Sequence, residues 1–270
     1  MIASLAVYPI KSCRGVALDE AEITRRGLAF DRLWMVVDER GRFLSQRDER
    51  GLVSVATRFD GDAIVASAPG AADLGIPRRA DGARMDVEVW GYRVPAVRHE
   101  AGSAWFSAVL GRRVLLVHMP DDVERRVSEK YGRPDDVVSF ADGYPIHLTT
   151  EESLADVAAR VGGPLGMDRF RPNVVVRSAA RPYDEDAWRR VAMGGAAARV
   201  LKRCGRCVMT TLDPATGASG PEPLRTLAGY RTDAGSVYFG VYLAPDDPGA
   251  VVRVGDRLEV LERAAPGEPG

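Results

Sequence analysis

The chain has 270 residues, 46% hydrophobic and 28% charged, an ordinary balance for a folded globular protein that argues against disorder or a fibre. Its 37 basic and 38 acidic residues nearly cancel, so no global field draws it to nucleic acid or an anionic membrane surface, and any bound anion must be held by a local cluster. Three cysteines, Cys13, Cys204 and Cys207, in a chain without a signal peptide do not make a disulfide framework.

The opening MIASLAVYPI is apolar, but it lacks a basic flank and is about half the length of a spanning helix. It is expected to be the first β-strand of a cytoplasmic protein with no membrane partner. From Leu5 to about Arg98, short β-rich runs alternate with turn signals: LAVYPI, RLWMVVD, GRFLSQR and MDVEVWGYRVPAV, the spacing of a barrel or sandwich-like unit. Between them GDAIVASAPGAADLGIPRRADGAR reads as loops around one short strand. Ser103 is expected to cap a helix over Ser103 to Leu110 that Gly111 ends, followed by a strand at VLLVHM. The stretch VERRVSEKYGRPDDVVSFADG, poor in large apolar residues, reads as a domain boundary or a mobile loop, dividing the chain into domains 1–118 and 119–265.

The clearest helix is TTEESLADVAARVGG. Thr149 and Glu152 fit a capping box, Leu154, Val157, Ala158 and Val161 repeat at helical spacing, and Gly162 supplies the stop. Strands follow at FRPNVVVR, RVLKRCGRCVMTTLD and SVYFGVYLA, with a closing hairpin of AVVRV and RLEVLE through Gly255-Asp256. Only the AAPGEPG tail is of low complexity.

The pair in CGRC, Cys204 and Cys207, carries the chemical question. A structural zinc site needs four ligands, and the rest of the set would have to come from Cys13 and one of His99, His118 or His147 by long-range folding. A dithiol redox motif belongs at a strand-to-helix turn, whereas Cys207 is followed by the β-like run VMTTL. Two buried, inert thiols beside a strand are the plain alternative. Arg206 between the thiols favours a thiolate that binds a soft metal, provided Gly205 marks a turn or bulge; in a flat strand Arg206 and Cys207 would face opposite ways.

Seven segments then fall in one order: YPIKSCRG at 8–15, GLAFDRLWMVVD at 27–38, FLSQR at 43–47, FRPNVVV at 170–176, CGRCVMTTLDPATG at 204–217, PLRTLAGYR at 223–231 and FGVYL at 239–243. Together they resemble the MOSC-domain proteins with an N-terminal β-barrel domain, the family of the mitochondrial amidoxime-reducing component and its bacterial relatives. The resemblance implies an α+β, β-rich fold, with an N-terminal barrel-like domain, a C-terminal MOSC β-barrel with peripheral helices, and a ligand cleft between them. It implies the molybdenum cofactor, Mo-molybdopterin, with Cys207 as metal ligand and Cys204 a neighbour without catalytic duty.

The same resemblance implies cofactor-binding roles for Lys11, Ser12, Arg32, Asp142, Gly143, Arg171, Asn173, Gly205, Arg206 and Tyr242. Lys11 and Ser12 leave the first strand at a turn suited to a phosphate, and Arg32 and Arg171 offer planar forks. Asn173, two residues past Arg171 along a strand, is expected on the same face. Asp142 and Gly143 lie in FADGYP, where Tyr144 departs from the small hydroxyl residue that relatives often carry. Read singly, these cations are ordinary surface or structural charges, Tyr242 a core aromatic, Asp213 to Gly217 a turn and His147 a hydrogen-bonded core residue.

The implied reaction is two-electron reduction of a small N-hydroxylated compound (an amidoxime, hydroxylamine or N-hydroxylated base). The electrons are expected from a separate ferredoxin, flavoprotein or cytochrome, since three cysteines leave none for an iron–sulfur cluster. A cofactor carrier, or a sulfur carrier using Cys207, is the alternative from a different class.

Overall fold

A computed structural model describes residues 1–178 and 181–265, so the end of the AAPGEPG tail lies outside the described residues. Strands hold 40% of the residues and helices 16%, which bears out the β-rich reading. The largest sheet runs Leu258–Arg263, Trp188–Met193, Ala196–Arg206, Ser236–Pro245, Ile146–Thr150, Val174–Val176, Ile2–Val7 and Val16–Leu18, with Thr232–Asp233 paired to Ser236–Pro245. Its one parallel pair, Leu148 opposite Val174, is bridged by the helix Glu151–Val161, since parallel strands need a long crossover. A second sheet of four strands, Trp34–Val37, Leu115–His118, Tyr92–His99 and Arg84–Val89, carries the N-terminal half.

The first strand does not stay with the residues that follow it. Ile2–Val7 pairs with Val174–Val176, so Leu5, Val7, Leu148, Val174 and Leu243 share one core, while Ile10, Trp34, Leu52 and Phe106 belong to another. The chain passes between these cores at Tyr8 to Cys13. Among the described residues no helix is long and apolar enough to cross a membrane.

Several local expectations shift. GRFLSQR makes only isolated bridges, because the Asp48 carboxylate accepts from Ser45 N and Oγ and turns the chain. The AIVAS to LGIP region holds two strands, Ala63–Ser67 and Leu74–Pro77, rather than one. The helix expected from Ser103 spans Glu100–Leu110 and is capped by His99, whose Nδ1 accepts from Gly102 N. Ser103 sits one turn inside, where its hydroxyl donates to His99 O and accepts from Leu116 N. Thr150, not Thr149, caps the next helix by accepting from Ser153 N, and Glu152 accepts from Ser178 N instead of closing a capping box. Gly162 ends that helix at φ 78° as expected.

The run after Cys207 is a 3-10 turn, Val208–Thr211, not strand. Gly255-Asp256 does not close a hairpin, because Val251–Arg253 pairs with Glu20–Thr24 and Leu258–Arg263 with Trp188–Met193; Gly255 N donates to Ile2 O and Ile2 N to Asp256 O, stapling that turn to the first strand. Residues 119–145, read as boundary or mobile loop, contain no named strand but bury Val127, Val138 and Phe140 against both halves.

Candidate functional site

One cavity opens where the two cores meet, lined by Lys11, Ser12, Arg32, Asp142, Arg171, Asn173, Gly205, Arg206, Cys207 and Tyr242. These are ten of the eleven residues singled out in the sequence. Gly143 is not in the wall, and a side chain there would meet open space. Trp90, Ser45, Arg47, Met209 and His147 also line the cavity, although none of the first four was assigned a role from the sequence. Ser45 and Arg47 stand inside the FLSQR segment, which was the available signal.

The basic end is built on bent backbone. Ser12, Arg32, Trp90 and Arg171 have φ of 70°, 49°, 53° and 54°, four of the seven non-glycine residues in the left-handed region among the described residues. Such conformations cost roughly 1–3 kcal/mol each and persist where surrounding contacts over-determine them. The contacts here are explicit. Gln46 Nε2 donates to Ser12 O at 2.6 Å, Arg32 N donates to Tyr8 O and Phe140 N to Arg32 O. The Tyr8 ring lies 4.3 Å from the Arg32 guanidinium and 4.1 Å from that of Arg171, and buried Asp31 accepts from Arg32 Nη1 at 2.6 Å.

Lys11, 4% exposed, donates to Asp142 Oδ1 at 2.5 Å. Burial pulls its ammonium down to about 8 against the opposing effect of Asp142. The Asp142 side chain is 63% exposed, but what it faces is this cavity; burial would raise its pKa, and Lys11, Arg32 and Arg171 together hold it well below the usual carboxylate range. Arg125 fixes the loop from beneath, donating to Ser139 O and Ala141 O.

The sulfur end depends on a bulge. The pairing of Ala196–Arg206 with Ser236–Pro245 slips between Arg203 and Gly205, the irregularity the sequence required. Cys204 is fully buried and Cys207 exposed at the cavity wall. Arg206 Nη1 donates to Cys204 Sγ at 2.8 Å and Nη2 to Phe170 O at 2.9 Å. Thr210 donates through both N and Oγ1 to Cys207 O, fixing the backbone that presents the thiol. Asn173 shares the cavity wall with Arg171 as expected, but it precedes its strand, and its amide oxygen accepts from His147 N and Arg32 Nη1 while its nitrogen donates to Ala6 O. His147 is buried as expected and also lines the cavity, with Nε2 packed against Gly240, while Arg206 Nε has no partner. Burial, then Arg206, hold the imidazole neutral. Burial also keeps the Tyr242 phenol protonated.

The two β-rich halves that meet at this cavity match known families in sequence. Residues 1–113 match the MOSC N-terminal beta barrel domain and residues 135–259 the MOSC domain. The chain is 33% identical to mitochondrial amidoxime-reducing component 1 of Homo sapiens, over 96% of this chain and 82% of that one, and 32% identical to mitochondrial amidoxime reducing component 2 of Bos taurus, over 94% and 81%. It is also 32% identical to the molybdenum cofactor sulfurase of Solanum lycopersicum, over 90% of this chain but 33% of the plant protein. The chain belongs to the MOSC-domain family of the mitochondrial amidoxime-reducing components.

Proposed function

We propose that the protein is a molybdenum-cofactor-dependent reductase of N-hydroxylated compounds. The observation that carries this reading is the placement of Cys207, an accessible sulfur sharing one cavity with Lys11, Arg32, Arg171 and Arg206. The donor set suits the group: one thiolate for a soft metal, cations and hydroxyls for a phosphate, and a buried nitrogen of Arg206 that lacks a partner. Cys207 would ligate the metal, Lys11, Ser12 and Arg32 would hold the phosphate and pterin with Arg171, and Asn173, Asp142, Gly205, Arg206 and Tyr242 would border the rest. Gly143 would contribute only loop freedom.

The cavity measures about 90 Å³, and the Lys11–Asp142 pair stands in its wall, where an anion would compete with Asp142 for the ammonium. When bound, the cofactor supplies the two electrons that cleave the N–O bond. An amidoxime takes up two electrons and two protons and leaves as an amidine and water. Within that reaction Arg206 offers a fixed positive charge at the sulfur end, and Tyr242, which keeps its proton, orients by hydrogen bonding. The two electrons would come from a separate ferredoxin, flavoprotein or cytochrome, and the protein would work in the cytoplasm.

The test is molybdenum and pterin analysis of protein made in a host that builds the cofactor. Cys207→Ser should lose metal and at least about 100-fold of chemically driven amidoxime reduction, whereas Cys204→Ser should keep the metal. Unchanged occupancy in Cys207→Ser would refute the assignment. The partial match to a cofactor sulfurase supports a second reading, a carrier using Cys207; such a protein would release cofactor or sulfur without reducing any N-hydroxylated compound.

A further inference from the structure

Tyr144 is not part of the anion grip, yet it occupies the cavity wall with Cys207 and Met209. Its ring stacks on Tyr242 with centroids 4.7 Å apart and planes 27° from parallel, and Tyr131 meets it edge-on at 6.1 Å. Lys202 Nζ lies 4.3 Å from the Tyr131 ring and 5.7 Å from the Tyr144 ring, with no carboxylate at ion-pair distance among the described residues. Burial pushes the Tyr144 phenol up to about 12, so the ring stays neutral and carries no charge to repel an anion.

The same cavity has a second aromatic wall from the other half of the chain. Trp90 is at the tip of the hairpin Arg84–Val89 and Tyr92–His99, 39% exposed, with the Arg47 guanidinium 4.8 Å from its ring. Its Nε1 donates to Asp142 Oδ1 at 3.3 Å, two residues before Tyr144. The mouth therefore offers two aromatic faces, each with a cation against it.

Such faces reward a flat π-system and give little to a small alkyl group; a cation at the rim rewards a remote negative charge. We propose that Tyr144, backed by Tyr242 and flanked by Lys202, is a substrate platform that selects flat aromatic N-hydroxylated compounds, favouring those with an anionic group away from the reacting nitrogen. This rests on the reductase reading for its site. A purely structural stack would brace the loop of residues 140–145 and treat all substrates alike.

The experiment uses the molybdenum-loaded protein with rates normalised to metal content, and three probes: acetamidoxime, benzamidoxime and 4-carboxybenzamidoxime. The kcat/KM for benzamidoxime should exceed that for acetamidoxime by about tenfold. That ratio should fall towards one in Tyr144→Leu and survive in Tyr144→Phe. Lys202→Gln should lose about threefold to fivefold on the carboxylated probe alone. Equal rates on the aryl and alkyl probes, or a Tyr144→Leu variant that loses the same factor on both, would overturn the platform while leaving the reductase standing. Calorimetric titration of the oxidised protein without reductant separates the two ideas from the other side. An aryl preference of about tenfold in binding, followed by no turnover once a chemical reductant is supplied, would keep Tyr144 as an aryl-binding surface and sink the reductase.

Discussion

At the basic end of the cavity nearly every group is already engaged: Asp31 and Tyr8 hold Arg32, Asp142 holds Lys11, and Gln46 pins the carbonyl of Ser12. At the sulfur end the Arg206 guanidinium is held by Cys204 and Phe170 O, but the Cys207 thiol is exposed and Arg206 Nε has no partner. The first region stores its order in the folded chain, at the cost of left-handed backbone. The second leaves its reactive sulfur open. A site of this kind can recognise the charged part of a ligand rigidly and adapt to the rest.

The sharpest way to break that contrast is Asp31→Ala. It strands the Arg32 guanidinium inside the protein, and unfolding in denaturant should show a loss of about 3–5 kcal/mol. Arg206→Met at the sulfur end removes two hydrogen bonds but also relieves an unpaired nitrogen, and should cost only about 1–2 kcal/mol. Similar losses in the two variants would mean that the two ends are equally prebuilt.

A smaller effect tests charge at the basic end through pH. Burial lowers the Lys11 pKa below its unfolded value, so the folded protein loses this cation as pH rises through about 8 while the unfolded chain keeps it to about 10.5. Folding stability from this group therefore rises with pH across that window, and affinity for inorganic phosphate falls, by about tenfold per unit well above pH 8. Lys11→Arg should abolish that pH dependence. A wild-type affinity flat from pH 7 to 9.5, measured by calorimetry, would contradict the assignment. Smallest is Asp142→Asn, which removes a like charge from the anion's path but also the group that holds the Lys11 pKa up; well below pH 8, where Lys11 keeps its proton, phosphate should bind about fivefold tighter at low salt and the gain should shrink at high salt.

The two ends were not equally legible in the sequence. Turn residues and arginines in YPIKSCRG and FRPN announce a basic grip, and the bulge at Gly205 could be required from the need to bring Arg206 and Cys207 to one cavity. The family resemblance, more than periodicity, gathered these dispersed segments. What stayed hidden follows from long-range packing. Trp90 reaches the cavity only because its hairpin leans across from the other half, and His147 reads as core because its neighbours are apolar. Asn173 spends its amide on two strands adjacent only in three dimensions. The caps failed by one turn or less: Thr150 and Ser153 also hydrogen-bond the buried Glu185, a partner no local pattern contains.

The placement of Ile2–Val7 beside Val174–Val176 has a consequence for biogenesis. That strand has an early partner in Val16–Leu18, but its other neighbour leaves the ribosome only after most of the chain has been made. Lys11 and Ser12 can be set early by Trp34 and Gln46, but the cavity they line gains Arg171 and Cys207 only when the C-terminal half has folded onto that strand.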